Sequence, residues 1–370
     1  MAETHTVFLF GSVKRQVRYT NPNIRVVETP NHQVRNVLFT FWRVLCLLFT
    51  RPRLIGVAYT EAKRYNSLYE QWMRFSRFVP VLLYRPEVFH IQWAGKLDRW
   101  VFLRDAYGCK LVLSLRGTQI NISPQVRPEL AEMYVRHFPK VSGFHAVCDT
   151  IKQEVLQFGV DAERIRTIYS VLPETAFKSF RLPKRIADNR VSLVSVGRHH
   201  WVKGYSYALA VVKLLVEQGM MVQYTIVAPE SAPEDLIFAV HDLGIQDYVQ
   251  FEQAMAQSEL FGYIQGFDVL LLPSLSEGIA NVVLEAMALG VPVVCTDSGG
   301  MAEVVKSGET GWLVPVRDPE AMALAIGQMM QTPEDDLQRM VSQAHAFVKT
   351  EFQSTDSLNR FLELYDDVMV

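Results

Sequence analysis

From about residue 190 onward, short runs of consecutive apolar residues alternate with stretches in which apolar positions recur every three to four residues. The runs Val191–Val196, Val222–Ala228, Tyr248–Phe251, Asp268–Leu272, Val291–Cys295 and Trp312–Val314 read as strands. Tyr205–Glu217, Glu234–Leu243, Ser258–Gln265, Ala280–Leu289 and a short segment near Ala302–Lys306 read as helices. Strands that are apolar at every position are buried on both faces, so this half predicts a parallel sheet with helices on either side. Ligands of such sheets sit beyond the carboxyl ends of the strands, and the loops that follow strands become the places to look for chemistry.

The first half is also α/β but less regular, with apolar runs at Val7–Phe10, Val88–Ile91, Leu111–Leu115, Gly143–Val147 and Ile165–Ile168. These predict a second Rossmann-like sheet. Pro173–Arg190 contains two prolines and little periodicity and reads as a linker. Closing helices are expected at Glu334–Glu351 and Ser357–Met369. The expected organisation is a first Rossmann-like domain over 1–172, shortened at its start, a linker over 173–190, a second such domain over 191–355, and a terminal helix over 356–370.

Composition excludes the disordered and fibrous classes: 49% of the 370 residues are hydrophobic and 21% charged. Cys46, Cys109, Cys148 and Cys295 are far apart, which suggests neither a disulfide framework nor a thiolate metal site and points to a reducing compartment. The amino terminus lacks the basic start and apolar run of a secretory signal, and a cytoplasmic location is expected. The longest apolar stretch, Val37 to Phe49, carries Arg43 at its centre and predicts a buried or interfacial helix, not a membrane span. The net charge of −2 conceals an asymmetry. Residues 1–185 hold 28 Lys+Arg against 14 Asp+Glu, whereas residues 186–370 hold 9 against 25. A basic half of this kind is disposed toward an anionic surface or ligand, or toward the acidic half itself.

Two loops carry candidate chemistry. In Val196-Gly197-Arg198-His199-His200-Trp201-Val202-Lys203-Gly204, two cations straddle a turn that leads into a helix whose free N–H groups suit phosphate oxygens. The second loop, Pro273-Ser274-Leu275-Ser276-Glu277-Gly278-Ile279-Ala280-Asn281-Val282, follows an apolar strand and enters a helix that carries Glu285. Glu277 and Glu285 are eight residues apart, about 12 Å along a helix and roughly 80° around it. That separation suits two hydroxyl-bearing rings joined by a diphosphate, with each carboxylate accepting vicinal hydroxyls and the N–H groups of Gly278 and its neighbours meeting the phosphates. Glu285 lies among Val282, Val283, Leu284, Ala286 and Met287, where a carboxylate needs a partner.

Together these loops resemble the retaining glycosyltransferases of family 4, the glycosyl transferases group 1, which have the GT-B fold. The resemblance covers about residues 190–330 and includes G-R-x(4)-K-G, P-S-x-S-E-G, E-x(7)-E, Gly290-Val291-Pro292, Ser298-Gly299-Gly300-Met301-Ala302-Glu303 and Gly308-Glu309-Thr310-Gly311-Trp312. It implies two Rossmann-like domains facing a central cleft, with the last helix crossing back to the first domain. It also implies that Arg198 and Lys203 beside Gly197 clamp the diphosphate. Glu277 would hold the transferred sugar, Gly278, Ile279, Ala280, Asn281 and Val282 would contact the donor, and Glu285 would bind the ribose. His90, at the end of Val88–Ile91, is similar to a strand-end histidine of the family that points into the cleft. Arg116, in Ser114-Leu115-Arg116-Gly117-Thr118-Gln119, stands where the family often has His-Gly-x-Asp and is a candidate contact for a phosphate or an acidic acceptor. The start departs further: Gly11-Ser12 is followed by Val13-Lys14-Arg15-Gln16-Val17-Arg18, with no apolar helical period and no Gly-Gly loop.

The implied reaction moves a sugar from a nucleotide-diphosphate donor to a polysaccharide or glycolipid acceptor. Arg198 and Lys203 would stabilise the departing diphosphate; no D-x-D triplet occurs, and neither metal nor cofactor is expected. Basic residues interleaved with aromatics between Arg35 and Arg85 fit an anionic lipid surface at the inner face of the membrane, where a lipid-linked acceptor would be met. No nucleic-acid module accompanies that charge, and no G-x-G-x-x-G or P-loop is present. The rival readings are a nucleotide-sugar epimerase on the same scaffold and a non-catalytic nucleotide-sugar binder.

Overall fold

The computed structural model describes residues 5–12, 19–183, 189–352 and 354–369. The expected break after Gly11-Ser12, over Val13 to Arg18, lies outside the described residues. Among the described residues the strands are β1 (Val7–Gly11), β2 (Ile24–Glu28), β3 (Val88–Ile91), β4 (Lys110–Leu115), β5 (Gly143–Ala146), β6 (Ile165–Thr167), β7 (Arg190–Val196), β8 (Met221–Ala228), β9 (Val249–Gln253), β10 (Val269–Leu272), β11 (Val293–Thr296) and β12 (Trp312–Val314). They form three sheets, in the orders β1-β2, β3-β4-β5-β6 and β12-β11-β10-β7-β8-β9. The pairs β1–β2, β3–β4 and β7–β8 are all parallel.

The six-stranded sheet explains why its strands are apolar throughout. Leu193, Ile226, Leu271 and Val294 turn to one face, where they pack with Leu209, Val212, Ile326 and Met329. Their neighbours Val194, Val227, Leu270 and Val293 turn to the other, against Val283, Met287, Ala344 and Val348. Successive side chains of a strand alternate in direction, so a sheet covered twice demands an apolar residue at each position. Full burial of each such side chain contributes roughly 1.5–3 kcal/mol. The chain enters this sheet at β7, winds outward to β9, and then returns to start the other wing at β10. The winding direction therefore reverses between the adjacent strands β7 and β10, and beyond the carboxyl ends of such a pair lies the natural ligand crevice of an open parallel sheet.

The chain divides into two compact units. One comprises Met1–Ser114, Glu132–Phe144 and Leu362–Val370; the other comprises Leu115–Ala131 and His145–Phe361. In the first unit, helices Gln33–Thr50, Pro52–Ala62 and Leu68–Tyr84 precede β3. The closing segment belongs to this unit: Leu364 and Val368 are buried, and a Cβ on Gly143 would come within 3.1 and 2.6 Å of them. In the second unit, the stretch Pro173–Arg190 carries helix Glu174–Lys178, whose Ala176 is buried in the core. Arg181 N–H then donates to Leu289 O at 3.1 Å, so the chain at Arg181 is packed against the helix that follows β10.

Candidate functional site

The two loops singled out in the sequence follow β7 and β10, the strands at the reversal point, and both lie in the second unit. After β7 the chain makes a single 3-10 turn, Trp201–Lys203, and helix Tyr205–Glu217 begins at Gly204. Gly204 has φ +66°, and a Cβ there would fall 2.0 Å from the carbonyl oxygen of Pro273, so only glycine permits this approach of the two loops. Leu275 N–H donates to Val202 O at 2.7 Å and ties the loops by their backbones.

That contact delivers Lys203 to Glu277. Lys203 Nζ lies 2.7 Å from Glu277 Oε1, with 21% and 14% of the two side chains exposed. Gly197 leaves room for the lysine stem: a Cβ would lie 3.1 Å from Lys203 Cε and 3.2 Å from the Tyr205 hydroxyl. The Tyr205 hydroxyl donates to Gly197 O at 2.8 Å, which fixes the turn from the helix side. Burial, with Glu277 and Glu230 nearby, pushes the Tyr205 phenol well above its ordinary range, so it stays a donor at any working pH.

The Glu277 loop is supported from beneath. Gly299 has φ +63°, and a Cβ there would sit 1.9 Å from Glu277 O. Gly300 N–H donates to Gly278 O at 2.7 Å, and a Cβ on Gly300 would meet that oxygen at 2.6 Å and Cys148 Sγ at 2.8 Å. Asn121 Nδ2 donates to Glu277 O at 3.1 Å from the side. Helix Asn281–Leu289 then begins at Ala280 with no side-chain cap. Among the described residues, the N–H groups of Gly278, Ile279, Asn281 and Val282 have no acceptor, which leaves them available to an anion at a helix start.

Glu285 is half-buried on that helix, and Gln257 Nε2 donates to its Oε1 at 2.8 Å. Burial raises its carboxyl above the ordinary value, and the Gln257 hydrogen bond partly opposes this. Thus Lys203, Glu277, the Gly278–Val282 backbone and Glu285 stand in one unit around adjoining strand ends. Arg198 is not drawn into the pair; it is exposed, beside Gly197, with no partner among the described residues.

His90 belongs to the first unit, at the end of β3. Its Nδ1 is 2.7 Å from the Tyr365 hydroxyl and its Nε2 is 2.9 Å from Ser114 Oγ, so both ring nitrogens are hydrogen-bonded within that unit. Burial pushes the Tyr365 phenol up to about 12. Arg116 falls in the second unit, and burial lowers its guanidinium from the usual value. It immediately precedes Gly117, whose backbone N is 3.8 Å from where a Cβ on Gly278 would be. Sequence reasoning passed over Asn121, Gln257 and Tyr205. The first comes from a distant segment and the second is one polar residue at a helix start, so neither has a local signature. Tyr205 follows the G-R-x(4)-K-G motif directly, and its position was the available signal.

A parallel sheet whose reversal point carries a helix start with free N–H groups, a cation and two carboxylates has the form of an α/β ligand site suited to an anion. Residues 190–332 match the family described as glycosyl transferases group 1. The amylovoran biosynthesis glycosyltransferase AmsK of Erwinia amylovora is 28% identical over 289 residues, covering 75% of this chain and 69% of that protein. Two further curated relatives are matched over 44% and 43% of their own length. Among solved structures, the sucrose-phosphate synthase of Thermosynechococcus elongatus aligns with TM-score 0.74 at 17% identity, over all of this chain and 90% of that one. HepE of Anabaena, solved in complex with UDP-glucose, aligns with TM-score 0.66 at 17% identity, over 94% and 86%. These likenesses identify the fold as that of the GT-B glycosyltransferases.

Proposed function

We propose that the chain is a retaining glycosyltransferase of polysaccharide biosynthesis that takes its sugar from a nucleotide-diphosphate donor, without a metal ion, and passes it to a saccharide or lipid-linked saccharide. The observation that carries this reading is the Lys203–Glu277 pair at 2.7 Å, set beside four N–H groups that lack acceptors among the described residues. A lysine ammonium has three donors and Glu277 takes one, so the others remain for diphosphate oxygens. The second oxygen of Glu277 remains for sugar hydroxyls. As the sugar–phosphate bond lengthens, charge grows on the diphosphate, where Lys203, Arg198 and the helix start stabilise it in place of a divalent ion. Glu285 lies one helix turn and more beyond the phosphates, at a distance suited to a ribose. The name of AmsK supports a role in polysaccharide assembly, and the complex of HepE supports a nucleotide-sugar donor.

The test is thermal stabilisation by uridine, guanosine and adenosine diphosphates and their sugars in EDTA, followed by product analysis with and without a saccharide acceptor. A ligand at about 100 times its dissociation constant adds about 2.7 kcal/mol. Stabilisation by one base, and a new glycosidic linkage of the donor's anomeric configuration, is expected. No stabilisation by any of them, an inverted product, or conversion of donor without acceptor overturns the reading.

A further inference from the structure

Helix Gln33–Thr50 is built inside out. Its buried residues are Asn36, Thr40, Arg43 and Leu47, three of them polar. The polar ones that face inward are held locally: Arg43 Nη2 donates to Glu28 O at 2.8 Å and Asn36 Nδ2 to Pro30 O at 3.0 Å. The opposite face is apolar and open to solvent, with Leu38 62%, Phe41 63%, Trp42 67% and Phe49 85% exposed, joined by Val34, Val37 and Leu48. At about 100° per residue these side chains, with Leu45, fill an arc of about 140° that contains no polar residue. A surface helix of a protein surrounded by water shows the reverse pattern.

The charges around the stripe say what covers it. From Thr29 to Thr60 the chain has no Asp or Glu, and it has Arg35, Arg43, Arg51 and Arg53. Arg51 and Arg53 are exposed at the corner that leads into helix Pro52–Ala62, whereas the exposed Arg35 pairs with Glu28 at 3.4 Å. A second copy docked on this stripe would bring two sets of arginines together, whereas anionic headgroups would neutralise them. Among the described residues no helix is long and apolar enough to cross a membrane, so the stripe fits a helix lying flat.

We propose that helix Gln33–Thr50 lies in the plane of an anionic lipid bilayer, with Leu38, Phe41, Trp42 and Phe49 in the acyl boundary and Arg51 and Arg53 on the headgroup phosphates. This shares no residue with the donor site, so either reading can fail without the other.

The test is flotation of the full chain with vesicles of phosphatidylcholine, alone or with about one-third phosphatidylglycerol. Wild-type protein is expected to float with the mixed vesicles, less at high salt, and its Trp42 emission to shift to the blue, a shift that Trp42→Phe removes. Leu38→Glu with Trp42→Glu is expected to lower recovery at least about 10-fold at an unchanged melting temperature and unchanged nucleotide binding. Arg51→Glu with Arg53→Glu should lower recovery on the mixed vesicles only. Absence of wild-type flotation, or flotation that survives Leu38→Glu with Trp42→Glu, overturns the proposal. A lipid-free dimer that Trp42→Glu dissociates overturns it in favour of a second copy.

Discussion

The pairing of Lys203 with Glu277 predicts that the costs of removing each residue alone sum to more than the cost of removing both. The pair is neither fully exposed, where ion pairs contribute about 0–1 kcal/mol, nor fully buried, where losing one partner costs about 3–5 kcal/mol. With side chains 21% and 14% exposed, Lys203→Met should cost about 2 kcal/mol, because Glu277 keeps its charge in a half-dry loop. For a unit of this size that lowers the melting temperature by about 4–8 °C. Glu277→Gln should cost less, since the amide oxygen can still accept from Lys203. The double variant should recover about 1–2 kcal/mol relative to the sum of the singles. Calorimetry measures the cycle, and titration with nucleoside diphosphate measures binding in the same four proteins. Lys203→Met should weaken binding about 10–150-fold, the loss of a charged hydrogen bond. Glu277→Gln should leave binding unchanged or tighter, because Lys203 is released from a competing anion, while transfer collapses. Additive stabilities, or binding that falls equally in both single variants, would refute the division of the site into a phosphate cation and a sugar carboxylate.

Glu285→Gln should raise the melting temperature slightly at neutral pH and weaken nucleoside diphosphate binding. Burial raises the folded-state pKa of Glu285, so the ionised carboxylate opposes folding above that pKa, and the gain in the variant should shrink as the pH falls through it. His145 is buried and its Nε2–H donates to Ile168 O at 2.9 Å; burial lowers its pKa from 6.5 to about 4. The unfolded chain therefore binds the extra proton first, and stability should fall by up to about 3 kcal/mol as pH drops from 6.5 to about 4, a loss that urea unfolding should find reduced in His145→Gln. Gly300→Ala should cost about 1–3 kcal/mol and impair donor binding, because its Cβ would press on Gly278 O and Cys148; wild-type stability in this variant would count against the supporting role of the Gly-Gly turn.

The second unit was legible because burial on both faces writes itself into sequence as unbroken apolar runs. Helix Tyr205–Glu217 and strand Trp312–Val314 have their expected bounds, and β8 begins one residue before its expected start, at Met221. The motif loops were legible because close backbone approach demands glycine at Gly204 and Gly299. β2 was not: Ile24–Glu28 carries Arg25 and Glu28, buries only Val27 and, among the described residues, pairs only with β1, so it lacks the signature of a covered strand. Nor was the partner of Glu285, since a hydrogen bond from Gln257 depends on how two helices meet and leaves no period in either.

Helix Gln33–Thr50 teaches the converse. Its periodicity was plain, and a helix over Val37–Phe49 was expected, yet period alone cannot say which face turns inward. The apolar arc would ordinarily be assigned to the core and the arginines to solvent. Here the core side is taken by Asn36, Thr40 and Arg43, two of which find backbone carbonyls at Pro30 and Glu28. Burying polar groups is tolerable once they are hydrogen-bonded, whereas leaving Phe49 and Trp42 in water forfeits roughly 1.5–3 kcal/mol for each large side chain. A sequence that accepts that loss at eight exposed positions of one helix, with no Asp or Glu between Thr29 and Thr60, fits the proposed lipid surface.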